Sequence, residues 1–387
     1  MAAVALTPLA RTPEEWTAEM ARLGERSFHG KQVFKWIHQR GVTDAAQMTD
    51  LPAALRTKLT GEGLSSVLDV VTERRAQDHT RKLLVALGDG ANVETVLIPR
   101  LTADREEDAD AAAAVEDEDE PARDGEEADP KASIPVTQCI STQVGCAMGC
   151  VFCASGVAGL KRHMRADEIV AQVLAGRARL DEREQLRNVV LMGMGEPLHN
   201  YEATARALRL LTHKEGIGLS PRKVTVSTSG LVPEIARLGA DFGGQIGLAI
   251  SLHAADDETR TRLMPINKKY PLAALMAALR AYPLPARRRI TIEYTLVAGK
   301  NDAPAEARKL TKLLAGLPVK INLIPMNPIE ASTLGPTAMD GVLAFQRIVT
   351  DAGYPCFIRR RRGDDVSAAC GQLALLGAKP KVRVDRG

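Results

Sequence analysis

Apolar residues follow two alternating patterns over most of the chain after residue 135. Short apolar runs of strand length alternate with longer stretches in which the apolar positions follow the helical period. The predicted strands are Val136 to Ser141, Asn188 to Met192, Lys223 to Thr228, Ile246 to Ser251, Ile290 to Leu296 and Val319 to Ile324. The predicted helices cover residues 166–180, 202–212, 232–239, 271–281, 304–315 and 339–351. This regular order predicts an α/β fold with a parallel sheet.

The first hundred residues carry different patterns. Before about residue 60 the apolar spacing predicts short helices, such as Pro13 to Arg22 and Lys31 to Gln39, with Gly30 as a break before the second. Period-two alternation then predicts three strands, at residues 66–75, 80–87 and 92–98. The sequence therefore predicts a small helical region followed by a short β extension.

Residues 101–133 form a strongly acidic segment. They contain 14 Asp or Glu and three Lys or Arg, a net charge of −11, and almost no large apolar side chain. Such a segment cannot offset the entropy cost of ordering, so we expect a disordered insertion on the surface. The rest of the chain carries 48 Lys or Arg against 34 Asp or Glu, a net charge of +14. This excess favours a polyanionic partner.

Composition narrows the class of protein further. The chain has no apolar run long enough to span a membrane and no export signal at its N-terminus, so we expect a cytoplasmic protein without membrane contact. Three of its six cysteines lie within eight residues, which is typical of a metal site in a reducing compartment. The predicted divisions are a helical domain at 1–62, the β extension at 63–100, the acidic insertion at 101–133, the α/β core at 134–375 and a basic tail at 376–387.

Residues able to do chemistry cluster after the predicted core strands. In parallel α/β folds the loops at the carboxyl ends of the strands build the active site. The residues in these positions are the cysteines after the first strand, Gly195 and Glu196 after the second, Ser227 and Ser229 at the third, Ser251, Leu252 and His253 at the fourth, and Asn327 after the sixth. Taken singly, most of them suit ordinary loop hydrogen bonding as well.

The cysteines form the pattern C-x3-C-x2-C, at Cys146, Cys150 and Cys153. Three thiolate ligands on a 4Fe-4S cluster leave one iron open, and that iron can chelate S-adenosylmethionine (SAM) and deliver an electron that cleaves it to a radical. The alternative is a structural zinc site, for which His163 is the only nearby fourth ligand. The spacing favours the iron-sulfur cluster.

The remaining cysteines have different settings. Cys139 lies in the first core strand, seven residues before the triad. Cys370 lies in a polar, glycine-flanked stretch close to arginines, which favours a reactive thiolate. Cys356 lies in an apolar strand-like run, and we expect it to be a buried small hydrophobe.

Further motifs occur in a specific order along the chain. They are Met-Gly-Met-Gly-Glu-Pro at 192–197, Val-Ser-Thr-Ser-Gly at 226–230, Ile-Ser-Leu-His at 250–253, Asn-Leu-Ile-Pro-Met-Asn-Pro at 322–328 and Arg-Gly-Asp-Asp-Val-Ser-Ala-Ala-Cys-Gly-Gln at 362–372. With the cysteine triad, and with matches from residue 28 onward, they resemble the RlmN/Cfr family of radical SAM RNA methyltransferases. The resemblance covers most of residues 28–375.

The resemblance implies a partial (β/α)6 TIM-like barrel with a small helical N-terminal domain that assists RNA binding. It implies methylation of C2 of an adenine in 23S rRNA, and in RlmN-type members also in the tRNA anticodon loop. It implies two molecules of SAM per turnover, a 4Fe-4S cluster, and an external electron donor such as flavodoxin or ferredoxin.

The resemblance also implies roles for single residues. Cys370 would carry the methyl group, Glu94 would accept the adenine C2 proton, and Cys139 would release the product by forming a disulfide with Cys370. The implied SAM contacts are Gly195, Glu196, Ser227, Ser251, Leu252, His253 and Asn327. The acidic insertion lengthens the chain between Glu94 and Cys139 beyond the family pattern, and Met326 stands where relatives often have an aromatic residue.

Two other functions remain open at this point. One is a Cfr-type methyltransferase that modifies adenine C8, and the other is an RNA-binding assembly factor in which the cluster is structural. In each case basic clusters would contact phosphates. These clusters are Arg81-Lys82, Lys161-Arg162-His163-Arg165, Arg222-Lys223, Arg287 to Arg289 and Arg359 to Arg362. Scarce aromatic residues, at 3% of the chain, favour extrusion of the target base into a pocket over stacking platforms.

Deleting residues 103–130 should leave RNA methylation intact, because an acidic surface segment contributes neither core nor ligands. The measurement is methyl incorporation into rRNA by the shortened and the full-length chain under identical conditions. A loss of activity in a deletion variant that retains its iron content would contradict this prediction.

Overall fold

The computed structural model describes residues 7–64, 69–100, 133–330, 332–359 and 361–373. The predicted acidic insertion, except for Ser133, and the predicted basic tail lie outside these described residues. Within them, no helix combines the length and apolar character needed to cross a membrane.

Three short helices form the N-terminal region: α1 (Pro13–Arg22), α2 (Phe28–Phe34) and α3 (Ala53–Gly61). The α2 helix continues as a π-helical turn over Lys35–Gln39. Thr12 caps α1 through a capping box in which its hydroxyl accepts a hydrogen bond from the Glu15 backbone. Gly30 lies inside α2, so its prediction as a break was wrong: a Cβ there would lie 2.7 Å from the Thr17 nitrogen, and glycine instead permits the close approach of α1.

Ten strands form one mixed sheet in the order β1-β2-β3-β4-β7-β8-β9-β10-β11-β12. The first four strands pair antiparallel and the remainder, from β4 onward, pair parallel. Their bounds are β1 (Val70–Arg75), β2 (Arg81–Ala86), β3 (Asn92–Pro99), β4 (Ile134–Cys139), β7 (Glu184–Leu191), β8 (Val224–Thr228), β9 (Gly247–Ser251), β10 (Ile290–Leu296), β11 (Val319–Pro325) and β12 (Cys356–Ile358). A separate two-stranded ribbon joins β5 (Gln143–Val144) to β6 (Arg162–His163).

Helices connect the parallel strands. They are α4 (Ala154–Ala158), α5 (Ala166–Arg177), α6 (Tyr201–Leu211), α7 (Val232–Phe242), α8 (Asp257–Leu263), α9 (Leu272–Ala281), α10 (Pro304–Leu313) and α11 (Met339–Asp351). The six predicted core strands and the six predicted helices are confirmed to within a few residues at their ends. The predicted parallel α/β fold is therefore confirmed, and β12 adds a seventh parallel strand that the six-repeat pattern does not include.

The N-terminal helices pack directly on the α/β core. Arg177, at the end of α5, donates hydrogen bonds to the carbonyls of His38 and Gln39, both at 2.9 Å. Phe34 contacts the ring of His213 with a centroid distance of 5.0 Å. Phe34 belongs, with Trp16 of α1 and Leu55 of α3, to the same continuous cluster of buried apolar side chains as the strands. The burial of this shared apolar surface holds the two regions together.

The strands β3 and β4, which precede and follow the acidic insertion in the sequence, pair with each other. The two strands are antiparallel neighbours, with Val96 opposite Cys139 and Pro99 opposite Val136. The insertion therefore connects the two arms of a hairpin. Because pairing sets the register, residues near Cys139 in space stay near it whatever the length of the connection.

Substituting Gly30→Ala should lower the free energy of unfolding by about 1–3 kcal/mol, because the new methyl group would overlap the α1 backbone. Gly61→Ala is the matched control: this glycine also lies in a helix and has no atom within 4 Å of a built Cβ. The control should raise stability by about 0.5 kcal/mol. Urea denaturation measures both, and an unchanged midpoint for Gly30→Ala would contradict the close packing.

Candidate active site at the carboxyl ends of the parallel strands

A cleft opens at the carboxyl ends of β4 and β7 to β12. Most of the residues predicted for cofactor and metal binding line this cleft, together with Cys370: Cys146, Cys150, Cys153, Gly195, Glu196, Ser227, Ser251, His253 and Asn327. Leu252, Cys139 and Glu94 do not line it. The Leu252 backbone nitrogen nevertheless contacts a lining residue, because it donates a hydrogen bond to the Glu293 carbonyl at 3.0 Å.

The loop with the cysteine triad follows β5 and folds tightly on itself. Gly145 has φ +77°, and a Cβ there would overlap the Gly159 carbonyl oxygen. The Cys146 backbone nitrogen donates to the same carbonyl at 3.1 Å, and the Cys153 nitrogen donates to the Cys150 carbonyl at 3.2 Å. These hydrogen bonds hold the loop in shape, and its three cysteines line the cleft.

The three thiols are desolvated. Burial raises the pKa of Cys146 to about 12 and also raises the pKa values of Cys150 and Cys153, so the thiolate forms need a strong cation beside them. An iron-sulfur cluster supplies that charge. Among the described residues no three His, Cys, Asp or Glu side chains are grouped to hold a single metal ion, and His163 Nδ1 already accepts from Gln143 at 3.0 Å. The donor set therefore fits a cluster better than zinc.

The turn after β7 carries Gly195 and Glu196. Gly195 has φ +100°, which favours glycine. The Glu196 carboxylate is buried and accepts hydrogen bonds from two backbone N–H groups, Leu198 at 3.2 Å and Ser229 at 2.8 Å. Burial raises the pKa of Glu196, whereas these bonds favour its charged form. The remaining lone pairs of the carboxylate lie in the cleft lining, where they suit an ammonium group.

His253 has a defined tautomer. Its Nδ1 accepts a hydrogen bond from the Thr295 backbone nitrogen at 2.9 Å, so the ring proton lies on Nε2. Burial lowers the pKa of His253 to about 3, and its ring packs edge-on against Phe152. His253 therefore presents a neutral ring to the cleft.

Several buried polar atoms of the lining have no partner among the described residues. They are Ser229 Oγ, Glu293 Oε2 and Asn327 Oδ1. Two are acceptors and the hydroxyl can be either, so a ligand with amino or hydroxyl groups would satisfy them. SAM carries an ammonium group, an adenine amino group and ribose hydroxyls. The residues present thus fit SAM beside the cluster.

The segment with Cys370 docks onto the triad loop. The Ala154 nitrogen donates to the Gly371 carbonyl at 2.8 Å, and Ser155 Oγ donates to the Leu373 carbonyl at 2.6 Å. Asn327 Nδ2 donates to the Cys370 carbonyl at 2.9 Å. Cys370 is thereby held at the edge of the cleft next to Cys153.

Cys139 lies behind Cys370 at the end of β4. Its side chain is 7% exposed, and burial, followed by the charge of Cys370, raises its pKa to about 12. Arg359 lies close to both thiols. The pKa of its guanidinium is raised by Cys370 most strongly, and then by Glu293 and Cys139. The structure therefore brings both thiols to one arginine.

The arginine run at 359–362 was predicted to contact phosphates, and the structure places Arg359 of this run in the cleft lining. The signal that could have found it is its place directly after β12, where a side chain at the carboxyl end of a parallel strand points to the active site. Glu293, inside β10, was also missed. Arg81 was also predicted to contact phosphates. This prediction was wrong, because Arg81 is 2% exposed and pairs with Glu184.

Glu94 lies in β3, beside the cleft rather than in its lining. It is 4% exposed, and its Oε1 lies 3.0 Å from Lys82 Nζ. The same Lys82 nitrogen donates to the Ser367 carbonyl at 3.1 Å, and Ser141 Oγ donates to the Glu94 carbonyl at 2.7 Å. Lys82 thus connects Glu94 to the segment that carries Cys370.

The chain is similar to known proteins over almost its whole length. Residues 140–310 match the model of the Radical SAM superfamily, and residues 11–63 match that of the ribosomal RNA large subunit methyltransferase N-terminal domain. The chain is 71% identical over 386 residues to the dual-specificity RNA methyltransferase RlmN of Sorangium cellulosum, covering 99% of each. It is 44% identical to the RlmN of Rhodospirillum rubrum, covering 93% of this chain and 78% of that relative.

A solved structure is also similar. The crystal structure of a radical SAM methyltransferase from Sphaerobacter thermophilus superposes with a TM-score of 0.83 at 39% identity. The match covers 95% of this chain and 99% of that one. Similarity therefore extends over the helical region, the β extension and the α/β core alike.

Arg359→Gln should slow alkylation of Cys370 by iodoacetamide, because Cys370 loses its neighbouring cation. Arg359→Lys keeps the positive charge, so it should reduce the rate of Cys370 alkylation much less. Mass spectrometry of the Cys370 peptide gives the rates, with Cys356 as an internal reference. Equal Cys370 rates in the wild type and Arg359→Gln would contradict the pairing.

Proposed function

Because the chain belongs to the RlmN family of radical SAM RNA methyltransferases, we propose that it methylates C2 of a specific adenine in 23S rRNA. We extend the proposal to an adenine in the tRNA anticodon loop, since the relatives are named as dual-specificity enzymes. The family assigns it a 4Fe-4S cluster, SAM and an RNA substrate. An external donor such as flavodoxin or ferredoxin would supply the electrons.

The observation that carries the proposal is the pair of thiols, Cys370 and Cys139, which share Arg359 beside the triad. Ordinary methyl transfer needs one bound SAM and no protein thiol. The C2–H group of adenine is neither acidic nor nucleophilic, so its methylation requires that the methyl group first be transferred to a thiol of the protein. When bound to Cys146, Cys150 and Cys153, the cluster supplies the electron that makes SAM a radical source, two SAM molecules being used per turnover.

Different residues of the chain carry the methyl group, hold the segment that carries it, and orient SAM. Arg359 stabilises the Cys370 thiolate, which accepts a methyl group on Sγ and presents its carbon to the extruded adenine. Asn327 holds the Cys370 carbonyl, which limits the movement of this carrier. Glu196, Ser227, Ser251, Leu252, His253 and the backbone of Gly195 orient SAM in the cleft, and Asn327 Oδ1 contributes an acceptor.

Release of the product depends on two further groups. Glu94 takes the C2 proton, and its pairing with Lys82 keeps the carboxylate next to the Cys370 segment. The Cys139 thiolate then attacks Cys370 Sγ, which forms the disulfide and breaks the bond between Cys370 Sγ and the transferred carbon. That carbon keeps the electron pair of the broken bond and takes up a proton, which completes the methyl group and frees the methylated RNA. Burial raises the Cys139 pKa to about 12, so this thiol needs a base or the nearby Arg359 before it can attack.

A Cys139→Ala variant should accumulate a covalent RNA adduct on Cys370, because the release step is lost, and a Cys370→Ala variant should form neither adduct nor methylated RNA. Cys356→Ala is the matched control: Cys356 is equally buried, at 7% exposure, but lies outside the cleft lining. It should retain activity. Gel electrophoresis detects the adduct, after anaerobic reconstitution with iron, sulfide and SAM.

Mass spectrometry of the modified nucleosides gives the position of the methyl group. A product methylated at C8 would replace our proposal with the Cfr-type activity. Wild-type behaviour of Cys370→Ala would favour an RNA-binding factor with a structural cluster instead.

A further inference from the structure

A cluster of three polar side chains lies on the rim of the cleft and has no part in the mechanism above. Gln143 is fully buried, and its Nε2 lies 3.0 Å from His163 Nδ1 and 3.2 Å from His199 Nδ1. The two imidazoles are exposed and pack edge to face, with ring centroids 5.0 Å apart. His199 follows Pro197 of the cleft lining by two residues, and His163 lies in β6, where it is the strand partner of Gln143 in β5. One buried amide thus holds two exposed rings.

The hydrogen bonds fix where the protons are. The Glu196 backbone N–H can only donate, and it donates to Gln143 Oε1 at 2.8 Å, so the orientation of the amide is determined. Gln143 Nε2 is then a donor with two hydrogens, one for each histidine. Both Nδ1 atoms must accept, and each neutral ring therefore carries its proton on Nε2. Burial, and then the neighbouring His199, lower the pKa of His163, which agrees with a neutral ring.

The outward Nε2 atoms have no partner in the part of the chain that the structure describes. This makes the pair a set of two neutral N–H donors on exposed rings at the rim. Such donors suit an anion, and they do not suit a metal ion, which would need the Nε2 lone pairs. The acidic residues nearby are already paired: Asp89 and Glu168 both bind Arg162, at 2.7 and 2.8 Å.

We propose that His163 and His199 together bind a backbone phosphate of the RNA substrate next to the cleft. The inference rests on the proposed RNA methyltransferase function and adds a contact for its substrate. Phosphate oxygens are the anionic groups that such an RNA presents at the mouth of an active site, and hydrogen bonds to them position the RNA without reading its sequence. Gln143 orients the donors before the RNA arrives, so little side-chain entropy is lost on binding.

The same amide also supports the SAM-binding turn. Gly195 packs against Gln143, where a Cβ would lie 2.5 Å from the Gln143 Cβ, and the Glu196 nitrogen bonds its oxygen. The phosphate contact and the Gly195–Glu196 turn are therefore set by one side chain. Gln143 is a positioning residue for both, which makes the two histidines, rather than Gln143, the appropriate residues to change.

The test compares two double variants of the reconstituted holoenzyme, His163→Ala with His199→Ala and His163→Gln with His199→Gln. The probe is a fluorescein-labelled 23S rRNA fragment carrying the target adenine, and the measurement is its Kd by fluorescence anisotropy. The alanine pair should bind about tenfold more weakly or worse, because two hydrogen bonds to a charged group are lost. The glutamine pair should recover much of the affinity, since a glutamine amide can place an N–H donor close to the position of Nε2.

Salt dependence provides a second readout. Neutral donors release no counterions, so the slope of log Kd against log salt should be the same in the alanine pair and the wild type, whereas loss of a cationic contact changes it by about 0.7–0.9. Unchanged affinity in the alanine pair, or a change of slope of that size, would overturn the proposal. Normal RNA binding with slower reduction by flavodoxin would also overturn it, because this face would then receive the electron donor.

The outcome is separable from that of the proposed function. If the wild type binds the fragment but does not methylate its adenine at C2, the proposed function fails, while the difference in Kd between the variants still decides the role of the two histidines.

Discussion

The geometry of the site depends on the docking of one short segment, residues 363–373, against three separate parts of the fold. The triad loop holds it through the Ala154–Gly371 and Ser155–Leu373 hydrogen bonds. The loop after β11 holds it through Asn327. The β extension holds its beginning, where Asp78 accepts from the Gly363 nitrogen at 2.9 Å and Lys82 donates to Ser367. A thiol more than two hundred residues away in sequence is thereby fixed beside the triad.

This docking explains why the β extension belongs to the site although no strand of it lines the cleft. Its β2 strand supplies Lys82, and its β3 strand supplies Glu94, and the two face the same side because Lys82 pairs with Val96 and Glu94 with Leu84. The resulting ion pair is nearly buried, so it depends on both partners being present. Removing Lys82 would take a cation away from the buried Glu94 carboxylate next to the segment that carries Cys370.

Two arginines, Arg260 and Arg359, hold the rest of the cleft wall. Arg260 is fully buried and donates to the carbonyls of Leu252 at 3.1 Å and Ser229 at 2.7 Å, which ties the loop after β8 to the loop after β9. Burial lowers the pKa of Arg260 to about 10, still well above neutrality. Arg359 does similar work for Cys370 and Cys139. In both places a permanent cation satisfies acceptors or anions that would otherwise be buried without a partner.

The sequence predicts those site residues that a local pattern marks. It does not predict those whose role depends on residues distant in the chain. The triad, Glu196, Ser227 and His253 were predictable because each directly follows or ends a strand with a clear apolar pattern. Arg359 was missed because β12 has only three residues, too few for a period, and because a run of arginines suggests a solvated face. Gln143 gave no signal, since its role depends on His163 and His199, which only the tertiary fold brings together.

The acidic insertion shows that residues far apart along the chain can be close in space. From sequence it separates Glu94 from Cys139 by an unusual number of residues, yet the β3–β4 pairing keeps Val96 opposite Cys139 and the Ser141 hydroxyl on the Glu94 carbonyl. Closing a longer connection costs only about 0.6 kcal/mol for each doubling of its length. The register of the two strands, rather than the length between them, therefore sets the position of Glu94, and the active site can keep its geometry while this connection varies.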